Sequence, residues 1–394
     1  MIYVDNAATT RLDPAALDAM LPYLSEGYGN PSSLHTLGQN AAGALAQARR
    51  HMADLLNCAP EELVFTSGGT ESDNHAIFEA ARAGAKAGKR HLVTTKIEHH
   101  AVLRPMERLE EEGFTVTYVP VSATGLVDPQ DVEDAIQDDT CLVSIMTANN
   151  EVGTIEPIAD IGEICRDHGV LFHTDAVQAV GHCPLDLHAL PIDLLSLSAH
   201  KFNGPKGTGA LYMREGAALD GHILGGGQER GKRAGTENVP GIVGMVKALE
   251  RRLIALDETT AQLQAYQKTM YDMAATIPHC KVNGDLDHRL PGNVHLSFAG
   301  ISGEALLVLL DSQGICASVG SACEAGSVDP SHVLLALGLD TRTAMGSLRL
   351  TFSHENTQAE ADTLAYAVPR AVEKLRSTSP IWRQMEEGAL PYGV

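Results

Sequence analysis

A lysine that ends one apolar run, an aspartate that ends another and a glycine-rich turn that opens a helix are three features of this sequence with chemical potential. Lys201 closes Ser198-Ala199-His200-Lys201, after the apolar run 193–198 and before the glycine-rich stretch 203–209. A lysine is ordinarily a solvated surface residue. Between apolar strands and against glycines, burial would lower its pKa and make it a nucleophilic amine. Asp175 follows the run 170–174; it either caps the next helix or faces a ligand, and position alone leaves both open. Ser67-Gly68-Gly69-Thr70 lies between the run 62–66 and a polar helix start at Glu71. Such a turn offers an anion free N–H groups, a helix dipole and a hydroxyl. It is neither a Walker loop nor a dinucleotide fingerprint, and alone it reads equally well as a tight turn. Together the three supply what pyridoxal phosphate needs: a lysine for the Schiff base, an acid for the pyridine nitrogen and a cradle for the phosphate.

The elements that must position these groups emerge from an alternation of short apolar runs, turns and amphipathic segments. Residues 62–66, 91–95, 115–119, 141–146, 170–174 and 193–198 read as strands, with helices over 128–137 and 158–168. Continuous Val/Ile/Leu runs separated by helices indicate an α/β fold with a mostly parallel sheet covered on both faces. Ligands of such sheets bind at the carboxyl ends of strands, where Asp175, Lys201 and the 67–70 turn all fall. Residues 239–256 read as one long helix that could connect two domains. Beyond it, a strand over 292–298, a helix over 303–312, a glycine-rich loop around 314–328 and a strand over 348–352 read as a smaller α+β domain.

Composition narrows the function classes. The 394 residues carry 29 Lys+Arg against 50 Asp+Glu, a formal charge of −21, so there is no cationic surplus for a nucleic-acid backbone. No apolar run approaches the ~18 residues a membrane helix needs, and the N-terminus has neither the basic nor the apolar region of a secretion signal. Seven cysteines, thinly spread and without CxxC pairs, read as reduced cytoplasmic thiols. No His/Cys cluster has zinc spacing.

The ordered motifs resemble the cysteine desulfurases of the NifS/IscS type, in the class V aminotransferase group of fold-type-I enzymes. They are residues 4–10 (VDNAATT), 29–33 (GNPSS), 65–74 (FTSGGTESDN), 97–102 (IEHHAV), 149–153 (NNEVG), 173–181 (HTDAVQAVG), 198–207 (SAHKFNGPKG), 225–241 (GGGQERGKRAGTENVPG) and 320–332 (GSACEAGSVDPSH). The resemblance implies a seven-stranded-type sheet in a large domain over 14–257, with 1–13 plus 258–394 as the small domain. It implies that Lys201 binds the cofactor covalently and that Asp175 pairs with the pyridinium. Gln178 and Asn150 match residues near the ring's 3′ oxygen. Gly69, Thr70, Ser198 and His200 match the phosphate cradle, with Thr236 reaching it from a neighbouring subunit. His99 matches the imidazole stacked on the ring, although by itself it reads as a strand-end surface histidine. Asn30 and Arg349 match the groups that hold the substrate carboxylate; Arg349 alone would read as a surface ion pair.

Cys323 matches the cysteine that takes sulfur from L-cysteine as a persulfide, leaving alanine, and it could contact an iron–sulfur cluster transiently during transfer. Cys58, Cys141, Cys165, Cys183, Cys280 and Cys316 read as small buried hydrophobes. The resemblance further implies a cytoplasmic homodimer that passes sulfur to an iron–sulfur scaffold or another acceptor protein. Three departures stand out. Glu324 follows Cys323 where Thr or Ser is frequent, which disfavours the thiolate. Val319 stands where Ser is common, and Ser353-His354 replaces a usual Gly-Arg pair. The rival readings are a selenocysteine lyase or cysteine sulfinate desulfinase, which would not depend on Cys323, and a non-catalytic scaffold that keeps the fold.

Overall fold

The computed structural model describes residues 1–217, 219–320 and 329–393. The chain begins with a short strand β1 (Ile2–Tyr3) and helices α1 (Pro14–Leu24) and α2 (Thr36–Leu56). It then alternates through β2 (Leu63–Thr66), α3 (Gly69–Lys86), β3 (His91–Thr95), α4 (His100–Glu111), β4 (Thr115–Val119), α5 (Pro129–Ala135), β5 (Thr140–Ser144), α6 (Ile158–His168) and β6 (Leu171–Asp175). β7 (Leu194–Ser198) and β8 (Gly209–Met213) complete a sheet of order β2-β8-β7-β6-β5-β3-β4. The strands from β4 to β7 are parallel neighbours, whereas β8 is antiparallel to both β7 and β2. Because β8 alone is reversed, β2 points the same way as the other five strands. The carboxyl ends of β2, β3, β5, β6 and β7 therefore share one edge.

Two helices follow: α7 (Val239–Ile254), where the spacing predicts a helix over 239–256, and α8 (Leu256–Ala275), which it does not predict. The chain continues through β9 (Cys280–Asn283), β10 (Asn293–Phe298), α9 (Gly303–Asp311), β11 (Ile315–Cys316), α10 (His332–Ala336), α11 (Thr341–Met345), β12 (Ser347–Thr351), α12 (Gln358–Thr378) and α13 (Pro380–Glu386). β12, β10 and β9 form an antiparallel sheet, and β1 pairs in parallel with β11. One apolar core packs on one face of the large sheet, with Phe172, Leu195 and Ile242 among its members, and a second packs on the other through Leu92, Leu142 and Leu194. Another packs α8, α9 and α12 on β10 and β12 through Leu296, Leu350 and Val368. No helix among the described residues is long and apolar enough to cross a membrane.

Candidate active site

At the shared edge of the large sheet lies a cleft of about 350 Å³ whose lining includes Gly69, Thr70, Asp73, His99, Asn150, Asp175, Gln178, Ser198, His200, Lys201 and Arg349. The fold explains the gathering. Asp175 is the last residue of β6, Ser198 the last of β7, and Lys201 sits in the single 3-10 turn that follows. His99 is the N-cap of α4, where its Nδ1 accepts from the Ala101 N–H at 3.1 Å. That bond leaves the neutral ring protonated on Nε2. Burial, then the Lys201 charge, pushes the His99 pKa down to about 4.

The N-terminus of α3 is built for an anion. Its N-cap, Gly68, has φ +150 and supplies no side-chain cap. The first-turn N–H groups have no capping side chain, so they and the helix dipole remain available beside Thr70, Ser198 and His200. Backbones approach closely here: a Cβ at Gly209 would lie 2.5 Å from the Leu197 oxygen and 2.6 Å from the Gly68 Cα. Opposite, the Lys201 Nζ donates to the carbonyls of Ala7 (2.6 Å) and Ala8 (3.1 Å). Gln178 Nε2 donates to the same Ala7 carbonyl at 3.0 Å. Asp175 Oδ1 accepts from the Val177 N–H at 2.9 Å, and burial pushes its pKa up to about 6 against the opposing pull of that bond and of Lys201. Lysine, carboxylate and cradle thus face one space.

A model of the aminotransferase class-V family matches residues 2–364. The chain belongs to the aminotransferase class-V family. It is 49% identical over 384 residues, 97% of this chain and 96% of the relative, to the cysteine desulfurase IscS of Clostridium botulinum. It also resembles a solved structure titled NifS-like protein, with TM-score 0.89 and 40% identity over 95% of this chain and 100% of that one. A structure titled SspA in complex with cysteine matches with TM-score 0.81 and 38% identity, over 91% of this chain and 100% of that one.

Within this class-V member, two of the expected site residues lie elsewhere. Asn30 is exposed, and its Oδ1 accepts from the Ser32 N–H at 2.9 Å. Thr236 is exposed on the loop before α7. Neither lines the cleft of the single chain. Cys323 and Glu324 lie outside the described residues. Arg349, on β12, is 2% exposed; it donates to the Asn150 carbonyl at 3.0 Å and to Asp5 Oδ1 at 2.9 Å. Its Nε has no hydrogen-bond partner among the described residues. Of the six cysteines expected to be buried hydrophobes, Cys141 and Cys165 are buried, while Cys58, Cys183, Cys280 and Cys316 are half-buried. Burial pushes the Cys165 and Cys280 thiols up to about 12, so they are poor nucleophiles.

Sequence reasoning missed Asp73, Ala7 and Ala8 as cleft residues. Asp73 follows Thr70 by three positions on α3, a spacing that puts both on one helix face, and that signal was available. Ala7 and Ala8 act through backbone carbonyls, which no residue type announces.

Proposed function

We propose that the protein is a pyridoxal-phosphate-dependent cysteine desulfurase that converts L-cysteine to L-alanine and retains the sulfur on Cys323. The observation that carries this is one cleft shared by Lys201, Asp175 and the uncapped start of α3. The donor set fits the cofactor: an amine, a buried carboxylate for the ring nitrogen, and N–H groups with Thr70, Ser198 and His200 for the phosphate. Asn150, Gln178 and His99 line the same cleft and would contact the ring. When bound, the cofactor supplies an electron sink for the carbanion formed at the substrate's α-carbon.

The chain's own groups do the rest. Asp175 keeps its charge because Lys201 faces it, and as an anion it holds a proton on the ring nitrogen. Arg349, anchored by Asp5 and Asn150, turns its remaining donors to the substrate carboxylate, with Asn30 joining in the assembled enzyme. Lys201, released from Ala7 and Ala8, moves the α-proton. His99, neutral and protonated on Nε2, donates toward the reacting substrate. The Cys323 thiolate attacks the substrate sulfur: a C–S bond breaks, an S–S bond forms, and alanine leaves as the persulfide remains.

A homodimer belongs to this reading, with Thr236 completing the partner's cradle. Exposed Leu21, Leu24, Tyr28, Leu34 and Leu224, near Asn30 and the 225–236 loop in sequence, support it. The same reading takes 14–257 as a large domain and 1–13 with 258–394 as a small one. We further place the enzyme in the cytoplasm, delivering sulfur to an iron–sulfur scaffold or other acceptor protein. Borohydride reduction and peptide mapping should place the cofactor on Lys201; a label on Lys206, or none, sinks the assignment. Alanine and sulfide should be released from L-cysteine in the presence of reductant. Cys323→Ala should keep the cysteine-induced spectral change and lose sulfur release, whereas full activity would favour the selenocysteine or sulfinate enzymes.

A further inference from the structure

Arg252, on α7, is 5% exposed, yet its guanidinium pairs with no carboxylate among the described residues. Burying a cation without a counter-charge is costly, so what it donates to matters. One nitrogen donates to His354 Nδ1 at 3.1 Å and another to His182 Nδ1 at 3.3 Å. A guanidinium can only donate. Both Nδ1 atoms therefore accept, and each neutral imidazole carries its proton on Nε2. Burial and the Arg252 charge push the His182 pKa down to about 3, which keeps that ring neutral. His182 Nε2 lies 2.9 Å from the Lys201 carbonyl oxygen, and its N–H donates to it.

The result is a directional chain from the turn after β12, through α7, to the backbone of the lysine. Lys201 is gripped at both ends, its Nζ by Ala7 and Ala8 and its carbonyl by His182. Packing leaves little slack, since a Cβ at Gly181 would lie 2.8 Å from the Phe202 Cβ and 3.6 Å from the Arg252 Cβ. Resting on the reading of Lys201 as the cofactor lysine, we propose that Arg252 is a positioning residue: it fixes the His182 tautomer that holds the Lys201 carbonyl, and ties that point to His354. The same geometry makes the His354 side a selective one. An acceptor fits there, whereas a second donor-only group would face Arg252 with no bond to make.

The test uses the holoenzyme. Nitrogen NMR of the His182 ring should show the proton on Nε2; a proton on Nδ1 overturns the proposal without any variant. Arg252→Met should mix the tautomers, shift the pH midpoint of the cofactor's visible band, and lower kcat on the order of tenfold, short of the ~10²-fold cost of a 1 Å misplacement. KM for L-cysteine should stay within about twofold, because Arg349 is untouched. Arg252→Lys, a point donor, should rescue only part of the loss. His354→Arg should reproduce the defect, and adding Arg252→Gln, whose amide both donates and accepts, should relieve it. A visible band and tautomer unmoved in both Arg252→Met and His354→Arg overturn the proposal. A borohydride label away from Lys201 overturns it together with the assignment of Lys201, whereas a Lys201 label with an unmoved band overturns the proposal alone.

Discussion

Asp175 and Asp73 are neighbouring buried acids in the cleft, and their surroundings divide the charge between them. Asp175 faces Lys201 and accepts the Val177 N–H. Asp73 has the Ser196 hydroxyl and, at 3.6 Å, a His173 whose pKa burial pushes down to about 3, so it has no cationic partner. Burial and the charge of Asp175 accordingly hold the Asp73 carboxyl well above its ordinary range. The ionised member is Asp175. Its replacement should therefore damage chemistry more than loading: Asp175→Asn should retain cofactor while turnover falls on the order of 10²-fold. Near-normal turnover would remove Asp175 from its role. The raised pKa sets an acid limit as well. Asp175 is ionised only above about 6, so turnover in the wild-type protein should fall as pH drops through that value. Asp175→Asn should lack this acid limb in its profile of residual turnover against pH.

The start of α3 has no spare room. A Cβ at Gly69 would lie 2.5 Å from the Val177 Cγ2, on a stiff β-branched side chain whose own N–H holds Asp175. Gly69→Ala should displace the helix start and Asp175 together, weakening cofactor affinity on the order of tenfold through both phosphate and ring contacts. Unchanged affinity, by cofactor titration into the apoprotein, would disprove the coupling. Periodicity located such elements well where one face or both are apolar: strands at 91–95 and 115–119 and the helix at 158–168 lie where the pattern predicts. β8 escaped because its first residue, Gly209, and Gly207 just before it read as loop, although Gly209 lets the reversed strand pass Gly68. α7 lies where the spacing predicts a helix over 239–256, whereas α8 escaped because its polar opening at Asp257-Glu258-Thr259-Thr260 breaks the apolar spacing. Asn30 and Thr236 could be recognised only by motif, since their single-chain surroundings give them no visible task.

Across the whole molecule, buried acids couple stability to pH. Glu156 is 3% exposed; its Oε2 accepts the Val127 N–H at 2.9 Å, and burial pushes its pKa up to about 8 from the ordinary 4.5. The folded state thus holds this proton more tightly than the unfolded chain does. Its stabilising contribution is fully present below pH 4.5 and is lost as pH rises through about 8. Fully linked, one such group costs about 1.4 kcal/mol per pH unit across that window. Glu156→Gln should flatten the slope of unfolding free energy against pH between 5 and 8 in denaturant titrations; an unaltered slope would assign the proton elsewhere. A different consequence follows from the first eight residues. Ala7 and Ala8 hold Lys201, yet Val4 and Asn6 are bonded to Thr351 on β12. Residues 4–8 are made well before β12 but cannot dock until that strand has been made. At ~5–20 residues per second this wait is on the order of tens of seconds. Residues 4–8 therefore settle long after they are made, and the lysine's grip is completed only once β12 exists.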